Sequence, residues 1–207
     1  MTQLAFYVDL SACTGCKACQ VACMDKNDLP ADVNWRRVLE YSGGEWANRD
    51  DFIIPVDIFA YYISSACMHC ENPLCVTVCP TTAISKNDRG IVIIDPRKCI
   101  GCRYCQWACP YGAPQFNFQM GVMTKCDFCI DLLTNGGIPV CVSSCPNRAL
   151  DFGTLKELKN QHGDFSDPAP LPDPRMTKPS IVFGQNNITR RKGDIEGDIV
   201  NVEEITR

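Results

Sequence analysis

The chain has 207 residues, 45% of them hydrophobic, with a formal net charge of -4 and sixteen cysteines. The length allows one or two domains with a conventional core, and the acidic balance argues against nucleic acid as a partner. The sequence shows neither the leader of a secreted disulfide protein nor an apolar run near the roughly 20 residues of a membrane helix, so we expect reduced thiols and no transmembrane helix.

An apolar strand, Leu4 to Val8, is the first predicted element, and it leads into a ferredoxin-type cysteine motif. The motif reads CTGCKACQVAC and has the C-x2-C-x2-C-x3-C spacing of bacterial ferredoxins. Three thiolates two residues apart converge on three corners of one 4Fe-4S cube, and the fourth cysteine ligates the other cluster of a pair. The first cysteine group is Cys13, Cys16, Cys19 and Cys23.

Residues 24–66 form an insert between the first and second cysteine groups. Apolar residues alternate from Ile53 to Ile63, which is typical of strands, and the stretch from Trp35 to Trp46 is rich in aromatic residues. We therefore predict a β-rich insert that packs on the rest of the chain or on a partner.

The second and third cysteine groups are joined by a predicted hairpin. Its strands are Ala83 to Ser85 and Ile91 to Ile94, with turn residues between them. The third group reads CIGCRYCQWACP, which is the complete ferredoxin signature including Pro110. We predict that residues 67–119 form one ferredoxin-like module, with the cysteines Cys67, Cys70, Cys75, Cys79, Cys99, Cys102, Cys105 and Cys109.

A fourth cysteine group completes an internal repeat. The segment VDLSACTGCKACQVAC matches IDPRKCIGCRYCQWAC, and PLCVTVCPTTAI matches PVCVSSCPNRAL. By analogy with the central hairpin, Ala149 to Phe152 should pair with Leu4 to Val8 and close a second module from residues 1–23 and 120–160. The fourth group is Cys126, Cys129, Cys141 and Cys145.

The C-terminal segment begins with a short predicted helix, Leu155 to Gln161, and continues into proline-rich sequence. We predict that residues 161–207 form an extended arm that binds a partner; a strand returning to the core would also explain the apolar run Ile181 to Phe183. The predicted fold is α+β: two ferredoxin-like modules related by an internal repeat, each with two 4Fe-4S clusters, a β-rich insert and an extended C-terminal arm.

The crossover of each fourth cysteine fixes the predicted ligand sets. If the fourth cysteines stayed within their own groups, the membership of the clusters would change but their number would not. An oxidised cluster with four thiolates carries about -2, so four clusters take the chain from -4 to about -12. The sets are Cys13, Cys16, Cys19 and Cys145 (cluster 1); Cys23, Cys126, Cys129 and Cys141 (cluster 2); Cys67, Cys70, Cys75 and Cys109 (cluster 3); and Cys79, Cys99, Cys102 and Cys105 (cluster 4).

Charged and aromatic residues beside the ligands have two interpretations each. Lys17, His69, Arg103 and Lys125 would raise a cluster's reduction potential if they approached its sulfurs, or would simply be solvated. Tyr104, Trp107, Tyr111 and Phe128 are interpreted as shields that exclude water rather than as electron relays.

We find no nucleophile, acid and base pair or phosphate-binding loop, and we therefore predict a non-catalytic electron-transfer protein. A zinc-knuckle binding protein is the alternative from another class, because the second and fourth groups read alone resemble zinc ligands.

With the cysteines placed, the chain resembles the four-cluster iron-sulfur subunits of dimethyl sulfoxide reductase complexes in the molybdopterin oxidoreductase superfamily. The resemblance rests on RRVLEYSGGEW, DIFAYYIS, CIGCRYC, ACPYGAPQ, MTKCD, RALDFG, APLP and TKPSIV. It implies a relay between a molybdopterin-containing catalytic subunit and an integral membrane subunit that oxidises quinol. The module of the chain ends would face the catalytic subunit, and the cluster holding Cys102 would lie nearest the quinol site.

The resemblance also implies a place in the cell. The complex would be peripheral on the prokaryotic cytoplasmic membrane, at the outer, periplasmic face after co-export with the catalytic subunit, with the cytoplasmic face as the alternative. The same design serves formate dehydrogenase, polysulfide and tetrathionate reductases and hydrogenases, which remain alternatives.

Overall fold

The described part of the chain, residues 2–191, 194 and 197–205 of a computed structural model, combines short helices with small β-sheets. This mixed content agrees with the predicted α+β class, and no helix in this part is long and apolar enough to cross a membrane. The strands are β1 Leu4–Asp9, β2 Arg37–Arg49, β3 Phe52–Ser65, β4 Ile84–Lys86, β5 Val92–Ile94, β6 Gln115–Asn117, β7 Val122–Thr124, β8 Leu150–Thr154, β9 Ile181–Gly184 and β10 Gly197–Ile199. The helices are α1 Ala18–Lys26, α2 Leu74–Thr77, α3 Tyr104–Ala108, α4 Ile130–Thr134, α5 Val140–Ser143, α6 Leu155–His162 and α7 Val202–Ile205, with a 3-10 turn at Pro174–Met176.

Strand β1 lies at the centre of a sheet with the order β8-β1-β9. It pairs antiparallel with β8, so that Phe6 lies opposite Phe152, which confirms the pairing expected between the two ends of the predicted chain-end module. Phe6 also stacks on Phe128, with 4.1 Å between ring centroids. This sheet therefore joins the N-terminus, the fourth cysteine group and the C-terminal segment in one apolar core.

The C-terminal segment differs from the predicted extended arm over its described residues. Strand β9 pairs in parallel with β1, and its Ile181, Val182 and Phe183 are buried, as in the alternative of a strand that returns to the core. Burying each such side chain stabilises the fold by roughly 1.5–3 kcal/mol. An arm extended into solvent would lack this stabilisation. Residues 192, 193, 195, 196, 206 and 207 of the predicted arm lie outside the described part.

The insert is a long antiparallel hairpin of β2 and β3, which confirms the strands expected there. Its base is buried against the core, whereas its tip exposes apolar side chains such as Trp46 and Phe52. An irregularity in register near Gly44, which has a φ of 130°, separates the two halves of the hairpin. At the base, Val38 lies opposite Ser64, so residues just before β2 come close to the end of β3.

The loops of the repeated cysteine segments share their backbone conformation. Helix α1 follows Lys17 at φ 60° and α3 follows Arg103 at φ 65°, while α2 follows Pro73 and α5 follows Pro139. Helix α1 packs on α5, and α2 packs on α3. The first group therefore lies beside the fourth and the second beside the third, and the β4–β5 hairpin confirms the one expected between the second and third groups.

Candidate iron-sulfur sites

A cavity is lined by three cysteines of the first group and one of the fourth. The first three lie on the loop before α1 and in its first turn, and the last follows α5, which packs on α1. Burial raises the pKa of Cys13 to about 11, against a backbone hydrogen bond with Gly15 that lowers it, and the other three thiols of this set contribute to the rise. The four are Cys13, Cys16, Cys19 and Cys145, the residues of predicted cluster 1.

The cysteines of predicted cluster 2 also lie near one another. Burial raises the pKa of Cys23 to about 12. The positive charge of Arg36 opposes this rise, and the thiols of Cys141 and Cys129 add to it. Burial and the thiol of Cys23 raise the pKa of Cys126. Cys23 is carried on α1, whereas its three neighbours come from the fourth group.

The predicted ligands of cluster 3 are neighbours as well. Burial raises the pKa of Cys70 to about 11, although a hydrogen bond with Thr177 lowers it. The thiols of Cys67 and Cys109 add to the rise. Burial raises the pKa of Cys75 to about 12, and Cys67, Cys109 and Cys70 contribute to that shift.

The last set has the fewest buried cysteines of the four. Burial raises the pKa of Cys105 to about 11, and the thiols of Cys99, Cys102 and Cys79 contribute to the rise. Only Cys105 of this set is fully buried. Cluster 4 would therefore lie close to the protein surface.

Hydrogen-bond donors surround several of the sulfurs. Such bonds stabilise thiolates and raise the reduction potential of a bound cluster. Two side-chain partners could not be foreseen from the motifs, because Asn27 and Ser64 lie outside them. The contacts with sulfur are Ala149 N to Cys145 (3.3 Å), Met123 N to Cys99 (3.4 Å), Phe128 N to Cys126 (3.4 Å), Asn27 Nδ2 to Cys23 (3.6 Å) and Ser64 Oγ to Cys19 (3.3 Å).

The charged residues singled out by position divide into buried and surface groups. Lys125 is buried and its ammonium donates to the carbonyl of Cys126 at 2.9 Å. His69 is buried too, and burial and nearby cations hold its pKa well below the usual value, so it is neutral. Lys17 forms an ion pair with Glu204, and Arg103 lies over the ring of Phe116 at 3.9 Å.

The aromatic residues divide in the same way. Phe128 and Tyr111 are buried, as expected for shields. Trp107 is 74% exposed and Tyr104 is 52% exposed, so in the isolated chain they do not exclude water as we predicted. Both belong to the helix that carries Cys105, beside the set of predicted cluster 4.

The residues present fit 4Fe-4S clusters. All sixteen cysteines are free thiols, and in each predicted set they lie near one another with N–H and O–H donors around several sulfurs. Within the described ranges no three Cys, His, Asp or Glu side chains converge as tightly as one bound metal ion requires. A 4Fe-4S cluster does not require such tight convergence, because its four thiolates bind four separate irons.

Comparisons with known proteins agree on this chemistry. A family model described as a 4Fe-4S dicluster domain matches residues 58–155. The chain is 50% identical to one chain of the anaerobic dimethyl sulfoxide reductase of Escherichia coli (strain K12), over 99% of both sequences. It is 38% identical to a subunit of the sulfite dehydrogenase of Allochromatium vinosum, over 76% of this chain and 71% of that one. It is 37% identical to the nitrate-inducible formate dehydrogenase iron-sulfur subunit of Escherichia coli (strain K12), over 75% of this chain and 56% of that one.

Proposed function

Because the chain belongs to the family of iron-sulfur electron-transfer subunits that includes its relative in the anaerobic dimethyl sulfoxide reductase, we propose that it carries four 4Fe-4S clusters and links two partner subunits. One partner would be a molybdopterin-containing catalytic subunit and the other a quinol-oxidising membrane subunit. Higher identity and nearly complete coverage favour the dimethyl sulfoxide reductase type over the formate dehydrogenase type. The chain itself would make no bond to substrate.

The observation that carries this proposal is the cavity lined by Cys13, Cys16, Cys19 and Cys145. A cysteine distant in sequence completes the set of three from the first group, as the ferredoxin arrangement requires. When bound, each cluster would accept and release one electron. The residues around it would bind the irons, donate hydrogen bonds to the sulfurs and limit the access of water.

The sets also support a linear order of sites. Cys19 of cluster 1 lies near Cys141 of cluster 2, and Cys126 of cluster 2 lies near Cys67 of cluster 3. Helices α2 and α3, which pack together, carry ligands of clusters 3 and 4. Neighbouring ligand sets of this kind suit electron transfer from one module to the other. The two packed pairs of cysteine groups are the reason to propose two ferredoxin-like modules, from residues 1–23 with 120–160 and from residues 67–119.

Iron and sulfide content tests the number of clusters. Chain purified without oxygen should contain about sixteen irons and about sixteen acid-labile sulfides. EPR during a redox titration should show interacting S = 1/2 signals and no 3Fe signal in the oxidised state. Zinc without sulfide would leave the zinc-knuckle binding protein as the better explanation.

An exposed apolar surface beside cluster 4 supports the proposed side for the membrane subunit. The rings of Tyr104 and Trp107 lie 5.7 Å apart, and Arg103 links their helix to the β6–β7 hairpin through contacts with Phe116 and Phe118. Apolar surface rimmed by polar residues marks interaction sites. We define the cluster-4 surface as Ile100, Tyr104, Trp107, Phe118 and Met120, all of which are exposed.

A charge at the centre of the cluster-4 surface should prevent binding of the membrane subunit. In the assembled complex, Trp107→Asp should reduce co-purification of the membrane subunit at least tenfold, because a carboxylate would be buried unpaired. Trp46→Asp is the matched control, since Trp46 is 71% exposed at the hairpin tip against 74% for Trp107. Loss of the membrane subunit in Trp46→Asp but not in Trp107→Asp would show that the interface lies at the tip of the β2–β3 hairpin instead.

The complex would be peripheral on the cytoplasmic membrane of a prokaryote, held there by the membrane subunit. We propose the outer, periplasmic face, reached by co-export with the catalytic subunit. Protease added to spheroplasts should then digest the chain, whereas protection until the membrane is broken would indicate the cytoplasmic face.

A further inference from the structure

The most enclosed charged side chain of the core belongs to Arg36, which no cysteine motif contains. It is 2% exposed and lies just before β2, at the base of the insert hairpin. Its guanidinium lies 4.7 Å from the centroid of the Phe6 ring, and Phe6 belongs to the central strand of the main sheet. A cation this deep in a core is costly unless negative groups compensate it.

The compensating groups are cysteines of two different ligand sets. Burial alone would lower the pKa of Arg36, but Cys141, Cys19, Cys126 and Cys23 together raise it. Cys19 belongs to predicted cluster 1, and the other three belong to cluster 2. The guanidinium is therefore within electrostatic range of both sets of the chain-end module. Neither set of the central module contributes to this shift among its leading causes.

Ser64 connects the guanidinium to one of these sulfurs. Arg36 Nη1 donates to Ser64 Oγ at 2.9 Å, and Ser64 Oγ lies 3.3 Å from Cys19 Sγ. Because Ser64 Oγ accepts from the arginine, its own proton is available for the sulfur. Ser64 is 1% exposed, so water does not compete for these bonds.

One nitrogen of the guanidinium has no protein partner. Arg36 Nη2 is buried and forms no hydrogen bond within the described part of the chain. An unpartnered donor on a fully buried cation indicates an acceptor that the protein atoms do not supply. The sulfur atoms of a cluster held by the adjacent thiolates would be such an acceptor.

We infer that Arg36 and Ser64 selectively raise the reduction potentials of clusters 1 and 2. The inference rests on the proposed function, because it requires clusters at these cysteines. Reduction adds one negative charge to a site that already carries about -2, and a buried cation stabilises the more negative form. The hydrogen bond from Ser64 adds to this effect at Cys19 only, so it acts on cluster 1 alone.

Redox titration followed by EPR tests the inference on the anaerobically purified complex. In Arg36→Met, the ratio of reduced to oxidised cluster at a fixed ambient potential should fall at least tenfold for clusters 1 and 2. It should change much less for clusters 3 and 4. Arg36→Lys retains the charge and should restore most of the ratio. Equal shifts in all four clusters, or no shift in any, would overturn the inference.

A second pair of variants avoids the loss of the buried charge. Ser64→Ala should lower the reduced fraction of cluster 1 alone, and Ser64→Thr, which keeps the hydroxyl, should not. Arg190→Met is the matched arginine control, since Arg190 lies over the ring of Phe59 at 4.9 Å and also has a buried nitrogen without a partner. An unchanged cluster 1 in Ser64→Ala, or an equal shift in Arg190→Met, would contradict the role of this pair.

Failure of the proposed function would be recognised separately. Iron and sulfide are measured first on the unaltered complex, and a content far below about sixteen of each would refute the four-cluster proposal before any variant is compared. With that content established, the titrations bear on Arg36 and Ser64 alone.

Discussion

Cys145→Ala is expected to remove the same EPR signal as Cys16→Ala, although the two residues are 129 positions apart in the sequence. Both line the cavity assigned to cluster 1, so either change removes one of its four ligands. We expect the loss of the entire signal and of up to about four of about sixteen irons per chain. Iron analysis and EPR of the single variants would measure both effects.

The complementary variants test the crossover directly. Cys23→Ala should match Cys129→Ala, with the signal of cluster 1 retained, because Cys23 lies beside the fourth group. Ser143→Ala is a control on α5 and should retain all signals. If Cys145→Ala instead matched Cys129→Ala, each fourth cysteine would belong to its own group and the ligand sets would need to be reassigned.

Removal of iron is expected to unfold most of the chain. The helices that carry ligands have four to nine residues, whereas isolated helices shorter than about 12–15 residues are marginal in water. Cluster ligation would therefore supply most of the folding free energy, which is about 5–15 kcal/mol for ordinary domains. Far-ultraviolet circular dichroism after anaerobic chelation should show loss of most helical signal and of a cooperative thermal transition.

The same chelator saturated with iron provides the control, since it cannot extract the metal. The buried contacts among Phe6, Phe128 and Phe183 belong to one apolar core and represent the structure most able to persist. A chelated chain that kept the thermal transition of the loaded protein would show that this core suffices. It would also argue against folding that depends on the clusters.

Much of the fold follows from local patterns in the sequence. The repeat around the cysteine groups predicted both the β1–β8 pairing and the central hairpin, because each copy of the repeat needs one pair of strands to complete its module. Alternation from Ile53 to Ile63 indicated strands of the insert. These features depend on neighbours in sequence or on a repeated segment, which is information that one sequence contains.

Other features depend on contacts that the sequence does not indicate. Arg36 and Ser64 meet because the register of a long hairpin places their segments together, and neither belongs to a motif. Proline spacing suggested an extended arm, but it did not reveal that Ile181 to Phe183 would find an open edge on β1. The exposure of Trp107 was not predicted, because the sequence separation between an aromatic residue and a ligand is the same whether the side chain points into the core or into solvent.

The position of β1 between β8 and β9 has a consequence for biosynthesis. A ribosome releases Cys23 long before Cys145, and at about 5–20 residues per second the interval is on the order of ten seconds. The strand from Ile181 to Gly184 emerges later still, and only then is the sheet around β1 complete. We therefore expect the second and third cysteine groups to be able to bind iron first. The first and fourth groups can do so only after the strand from Ile181 to Gly184 has been synthesised, and until then their thiols can be oxidised.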